Sequence, residues 1–432
     1  NKKVKFFYKY KLEEKSSLLA VLLILIYFFY GFFSNEISAG AGGYDGDFKL
    51  IWSNLQILRE GIILNLDNPD YSDSRPPLSY ILHILVNPFI DNQESYRSSV
   101  FIVSLLVPVL LFFSVKEKFK QINNYLALLI ASIITLSPYF RTSSYWGLGE
   151  NYGLIFCLSS YLIFSNFKKN IQINNLKNNI LLIFLLCLNS SLIVYFDQKL
   201  VFIPLYIFLF IIFSNYKLDI KFLTLFFYSL FAVPYIYLIS LWGSIVPTQA
   251  SHGRDVGDFF NLYQLGYCIT IIAFYIFPFL FCKYLTFKNL KTEILSVKFL
   301  SLIITLAFYI IILILFYNFG DLRLEGKGIV HKFLINFVEN ENLRFYFTVL
   351  SFLIGTVIIF IFFEKKNDFI IISYFLTLSI VTFPFYQEYL DPLILLLIFT
   401  FFDTKIRLTF KKTYLITIYF FGFLMSANIY YN

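Results

Sequence analysis

Charge is what this chain has least of. Asp, Glu, Lys and Arg make up 14% of its 432 residues, against 58% hydrophobic and 21% aromatic, and mean hydropathy is +0.71. Water-soluble domains carry about 25% charged residues, so the deficit excludes a cytosolic enzyme or a DNA binder and assigns the apolar surface to lipid. Cysteine is scarce too. The four residues Cys157, Cys187, Cys268 and Cys282 lie within or at the end of apolar runs without metal-ligand spacing, which excludes a disulfide framework and leaves packing as their role. No phosphate-cradling glycine loop occurs, and no polar stretch is long enough for a free-standing soluble domain. The first apolar run, Ser17 to Phe33, follows a lysine-rich start without a small-residue cleavage site and reads as a retained span. The bias toward Phe, Tyr, Ile, Asn and Lys gives aromatic stripes little functional weight.

What is present is a series of apolar runs of helix-spanning length, not the alternating short strands of a barrel. They fall at about 17 to 33, 99 to 115, 123 to 139, 151 to 167, 179 to 196, 200 to 214, 222 to 243, 262 to 282, 298 to 317, 345 to 363, 369 to 386, 389 to 402 and 413 to 430. The reading is therefore one all-α polytopic domain of about 13 transmembrane helices. A further stretch, Leu78 to Ile90, is assigned to the outer interface as a helix over 77 to 90, because counting it as a span would turn the lysine-rich turns outward. With it at the interface, the inner segments hold 24 Lys and Arg against 8 Asp and Glu, and the outer ones 11 against 19. The expected topology has the N-terminus in the cytoplasm and the C-terminus outside. No inverted repeat is evident.

Three outer segments are long enough for chemistry: 34 to 98, 244 to 261 and 318 to 344. In the first, Gly40-Ala41-Gly42-Gly43-Tyr44-Asp45-Gly46-Asp47 leads into an amphipathic stretch, Asp47 to Glu60, closed by Gly61. Two carboxylates at a helix start stay ionised. Asp45 and Asp47 can serve as a general base or hold a divalent cation, magnesium or manganese; the plainer alternative is an Asp cap in a loop.

This order of parts resembles the GT-C membrane glycosyltransferases, which include the protein O-mannosyltransferases, the aminoarabinose transferases of lipid A and the dolichyl-phosphate-glucose transferases. The resemblance rests on Tyr44-Asp45-Gly46-Asp47-Phe48, Arg59-Glu60-Gly61 and Asp73-Ser74-Arg75-Pro76-Pro77-Leu78-Ser79-Tyr80, with Ser137-Pro138-Tyr139-Phe140-Arg141 and Trp146-Gly147-Leu148-Gly149-Glu150-Asn151-Tyr152 in support. It implies a GT-C-like bundle with a catalytic acid in the first outer loop, either Asp45, slightly preferred, or Asp47. It implies Glu150 as a further acid or metal ligand in the same cleft, and Arg75 and Arg141 as substrate-binding residues. Asp197 and Lys199, in the outer turn Tyr195-Phe196-Asp197-Gln198-Lys199, join that set, with mutual pairing as their plainer role. The late outer cations His252, Arg254, Arg323, Lys327, His331 and Lys332 suit a phosphate, or else lipid headgroups. Near residue 387 many members have Arg or His before Tyr and Pro. This chain has Gln387 and Glu388 there, which moves the donor phosphate toward Arg323 or Lys327 and counts Glu388 among substrate-binding candidates.

The function so implied is inverting transfer of a sugar from a polyprenyl- or dolichyl-phosphate donor to a glycan, lipid or protein acceptor on the periplasmic or lumenal face. Membrane lipids are the other expected partners; nucleic acid is not. Two alternatives stand beside it: an O-antigen polymerase or ligase, and a transporter or flippase of lipid-linked sugars.

Overall fold

The computed structural model describes residues 2 to 170, 176 to 247, 264 to 283, 298 to 316, 327 to 382 and 385 to 432. Among them every regular element is helical. The chain divides into two compact units, Asn1–Arg254 with Phe420–Asn432, and Asp255–Tyr419.

The first unit begins with α1 (Lys2–Phe33). Its buried positions Ser17, Val21, Ile24, Phe28 and Phe32 recur every three or four residues, while Leu18, Leu19, Leu22, Leu23 and Ile26 stay exposed. That is one stripe packed on protein and the remainder left to lipid, as expected of a peripheral span. Across the first loop lie α2 (Lys49–Arg59) and α3 (Leu78–Val86), followed by α4 (Gln93–Ser104), which continues almost directly into α5 (Leu106–Lys118). With nine residues α3 is about 13 Å long, well under the roughly 30 Å of hydrocarbon, so it does not cross. Stacked rings of Phe28 and Phe32 on Phe101 join α1 to α4, and Phe28 also stacks on Phe140.

At Ser137-Pro138 the chain turns sharply and restarts as a helix. α6 (Asn124–Ser132) and the tight turn after it run to Leu136; Ser137 then caps a new helix, α7 (Pro138–Tyr145), by accepting from Phe140 N at 3.0 Å. Pro138 fits a first turn because no intrahelical donor is needed there. The two segments are bent by 72°. α8 (Glu150–Asn170), α9 (Leu176–Phe196), α10 (Phe202–Phe213) and α11 (Leu218–Trp242) follow, α9 packing between α8 and α11.

The ends of this unit differ chemically. One gathers the first loop, the starts of α4 and α8 and the ends of α9 and α11. The other gathers Glu14, Asn123, Lys116, Glu117 and Lys169, with Asn123 donating to Glu14 at 3.1 Å and Lys169 paired with Glu117. The lysine-rich turns and the acids of the first loop thus lie about 30 Å apart, the length of α8.

In the second unit, α12 (Gln264–Lys283) is the most enclosed of the span-length helices, with α13 (Lys298–Phe316), α14 (Gly328–Phe337), α15 (Glu341–Phe362), α16 (Lys366–Val381) and α17 (Leu393–Ile398) after it. α18 (Phe410–Tyr431) closes the chain. Its last part belongs to the first unit, where Asn428 donates to the Tyr27 hydroxyl at 3.2 Å and Asn432 to Ile37 O at 3.3 Å. The C-terminus therefore lies at the first-loop end.

Among the described residues seven helices are long and apolar enough to cross a membrane, eight if the bent pair is one span. That establishes an all-helical chain with membrane-spanning character. One expected span needs correction: 389 to 402 contains only the six-residue α17, about 9 Å long, and residues 390 to 402 are buried. Protein rather than lipid covers this apolar run, a distinction hydropathy does not make.

Candidate functional site

The site builds from a loop that holds an arginine in place. In Tyr71-Ser72-Asp73-Ser74-Arg75, the Asp73 carboxylate accepts from Arg75 N at 2.9 Å, a local turn that folds the arginine back. Asn54 of α2 accepts from Ser72 N at 3.1 Å, Gln198 donates to Ser74 O at 3.0 Å, and the Tyr80 hydroxyl donates to the other Asp73 oxygen. The loop is fixed from three sides. The Arg75 guanidinium then meets three acids: Asp47 at 3.3 Å, Glu150 at 3.3 Å and Asp73 at 3.6 Å.

Glu150 is the first residue of α8, where the helix dipole favours a carboxylate. Tyr139, brought in by the bend at Pro138, donates to one oxygen at 2.8 Å. The other oxygen is buried and has no hydrogen-bond partner. Gly147, just before α8, has φ +71, and a Cβ there would stand 2.7 Å from the Tyr96 ring; only glycine lets this turn close on α4. In the turn after α9, Asp197 accepts from Lys199 N at 3.1 Å and pairs with its ammonium at 3.7 Å.

The surroundings sort these acids. Burial opposes the charge on Glu150, but Arg75, Lys199 and the Tyr139 hydroxyl outweigh it and hold the carboxyl below its usual range. For Asp197 burial wins against Lys199, with Glu150 adding repulsion, and its pKa is raised. Asp47 is likewise raised, first by burial and then by Glu150 and Asp73, with Arg75 opposing. Asp47 is also the accessible member: its side chain is 39% exposed, against 5% for Asp73 and Glu150.

Comparison with known protein families, with curated proteins and with solved structures finds no match. The reading rests on this chain's own residues.

Of the residues expected from the sequence, the structure brings together Asp47, Arg75, Glu150, Asp197 and Lys199. Asp45 lies in the same π-helical turn, Tyr44–Phe48, but is exposed, and its side chain makes no hydrogen bond or ion pair among the described residues. Arg141 is not in the cluster. It is fully buried, bound to Glu36 at 2.7 and 2.6 Å and donating to Thr135 O and Tyr27 O at 3.1 Å each, so its guanidinium ties α7 to α1. Lys327, His331 and Glu388 belong to the second unit, and Gln387 there accepts from Ile329 N at 2.7 Å and donates to Tyr275 at 3.1 Å. His252, Arg254 and Arg323 lie outside the described residues. Lys332 is half-buried on α14.

Sequence reasoning passed over Asp73, Tyr80 and Tyr139 as site residues. The Asp-x-Arg spacing of Asp73 and Arg75 was the available signal for the first; the tyrosines carried none. His83, expected as an interfacial anchor, is buried and bridges Tyr152 and Asn87 at 2.8 Å each. The Asn87 amide can only donate to Nδ1, so Nε2 carries the proton, and burial lowers its pKa to about 4. As for a metal, no three His, Cys, Asp or Glu side chains among the described residues form a cation site. The positive charge between the acids is Arg75.

Proposed function

We infer that this protein is an inverting GT-C-type glycosyltransferase that takes its sugar from a polyprenyl- or dolichyl-phosphate donor on the extracytoplasmic face. The observation that carries this is Asp47. It is the one acid of the cluster that combines exposure with a raised pKa, held beside Arg75 on a membrane-surface loop. A general base works best with a pKa drawn toward the working pH. In this reading the acceptor hydroxyl oxygen attacks the anomeric carbon, its proton passes to Asp47, and the carbon–oxygen bond to phosphate breaks on the opposite side. Prenyl phosphate departs with the bonding electrons, and the anomeric centre inverts.

Asp73, Glu150 and Tyr80 do not react; they fix Arg75, and Arg75 fixes Asp47. Lys199 supplies positive charge where the leaving phosphate gains negative charge. A lipid-borne donor arrives sideways from the bilayer, which suits a chain without a nucleotide-binding loop. Ionised groups gathered at one end of the helices favour this reading over a transporter, which places them at mid-membrane. A GT-C-like bundle of about 12 spans, the expected 13 less residues 389 to 402, remains part of this proposal.

The test is a donor panel given to the purified full chain in proteoliposomes. Transfer from polyprenyl-phosphate sugars with inverted product configuration supports the reading. Transfer from nucleotide sugars alone, or retained configuration, overturns it.

A further inference from the structure

Among the described residues, the second unit holds buried polar groups without a hydrogen-bond partner. Gln264, wholly buried at the start of α12, has neither amide nitrogen nor amide oxygen hydrogen-bonded; His331 Nδ1 and Thr348 Oγ1, in side chains 5% and 1% exposed, are also without partners. Such groups are costly unless something meets them.

They share one corner. The His331 ring lies edge-on to Tyr267 at 4.8 Å, and Tyr267 meets Phe352 of α15 at 5.1 Å. Farther along, Gly355 packs on Ile269, and Lys283 at the end of α12 donates to Ile361 O and Phe362 O at the end of α15. The two helices therefore run parallel, and one turn before the Tyr267–Phe352 contact Gln264 and Thr348 stand at the same level. Thr348 is also set apart within its helix. Thr356 and Ser351 return their hydroxyls to the backbone at 2.9 and 2.7 Å, and Thr348 does not.

The corner is held by strain. Lys327 takes φ +66, a left-handed conformation that side chains avoid, fixed by its N–H to Phe385 O at 2.9 Å; Gly328 follows at φ +80, where a Cβ would collide with Ile271. The Lys327 ammonium lies 5.6 Å from the Tyr267 ring centre. Burial first, then Lys327 and Arg344, push the His331 pKa down to about 3, so its imidazole is neutral.

We propose that Gln264, His331 and Thr348 form a binding site for the hydroxyl groups of a sugar, each neutral side chain offering a donor or acceptor beside the Tyr267 ring. An amide, a neutral imidazole and a hydroxyl can pair with adjacent hydroxyls, which both give and accept hydrogen bonds. The site goes beyond the transferase reading, and its test does not use sugar transfer.

The chain has only three histidines. The full-length protein, labelled with ¹⁵N-histidine and held in nanodiscs free of glycoside detergent, is titrated with methyl glycosides of glucose, galactose, mannose and N-acetylglucosamine, and in a second arm with lipid-linked forms of the same sugars. The His331 ring signal moves and saturates with at least one of them, while His83 stays fixed. Response to methyl glycosides identifies the free ring as sufficient; response in the lipid arm alone identifies a headgroup. The near-isosteric Thr348→Val weakens the response about tenfold, the value of one lost hydrogen bond, and Gln264→Leu abolishes it. No His331 response in either arm, or an undiminished one in Thr348→Val with the His83 signal native, overturns the site.

Discussion

Arg75→Met tests whether the arginine is the element that holds the acidic cluster together. Arg75 and Glu150 are 3.3 Å apart, with side chains 18% and 5% exposed. At an effective dielectric of about 20 the attraction is about 5 kcal/mol before desolvation. Breaking such a buried pair costs about 3–5 kcal/mol, and the nearby Tyr139 and Lys199 soften the loss, so we expect a coupling of about 3 kcal/mol. The pH dependence gives the sharper signature. In the native protein the Glu150 pKa is held down, so its contribution is present above the usual carboxylate range and lost as pH falls through the folded value. Without Arg75 burial dominates and raises the pKa; the contribution then survives only at low pH and is lost as pH rises. Thermal unfolding of the native protein, Arg75→Met, Glu150→Gln and the double variant, in one detergent at about pH 7 and in steps down to about pH 2, measures the coupling by a double-mutant cycle. At the higher pH it amounts to several degrees in Tm, and at the lower it falls below about 1 kcal/mol. Equal coupling at both pH values, or none at either, would refute the assignment.

Three further outcomes follow from the same geometry. The rate of sugar transfer should fall on acidification along a limb set above the ordinary aspartate value of about 3.9, because the base works only when deprotonated and Asp47 is raised; a limb at or below that value removes Asp47 from the role. Gly147→Ala should lose about 2–4 kcal/mol of stability through its positive φ and the Tyr96 ring, measured as a lowered Tm, and an unchanged Tm would contradict the turn described. All four native cysteines are buried and therefore silent to labelling. A membrane-impermeant maleimide should thus modify Asp45→Cys in intact cells and Asn170→Cys only after permeabilisation, and the reverse pattern would place the cluster in the cytoplasm.

Much of the fold could be read from the sequence because hydropathy and charge asymmetry act locally. A helix expected over 77 to 90 is present as Leu78–Val86, the amphipathic stretch from Asp47 as Lys49–Arg59, and the start of α8 falls on Glu150. What stayed hidden depends on contacts between distant residues. Arg141 reads as an available cation until Glu36, 105 residues away, is seen to bind one edge of its guanidinium with both carboxylate oxygens. Pro138 reads as the end of a span, but Ser137 supplies the cap that lets a second helix restart at a new angle. The run at 389 to 402 is as apolar as a span because it is a core. In the site, the two aspartates of the glycine motif are two residues apart and look equivalent; the backbone leaves Asp45 in the open and turns Asp47 toward Arg75, an outcome fixed by the Asp73 turn 26 residues later.

The most direct measurement is single-turnover transfer of a labelled sugar from its polyprenyl-phosphate donor by the purified protein, with Asp47→Asn and Asp45→Asn run beside it. The account predicts transfer by the unmodified chain, a loss of about 10²- to 10⁴-fold in Asp47→Asn, the range of a missing general base, and a much smaller change in Asp45→Asn. Transfer undiminished in Asp47→Asn, or lost only in Asp45→Asn, would contradict it.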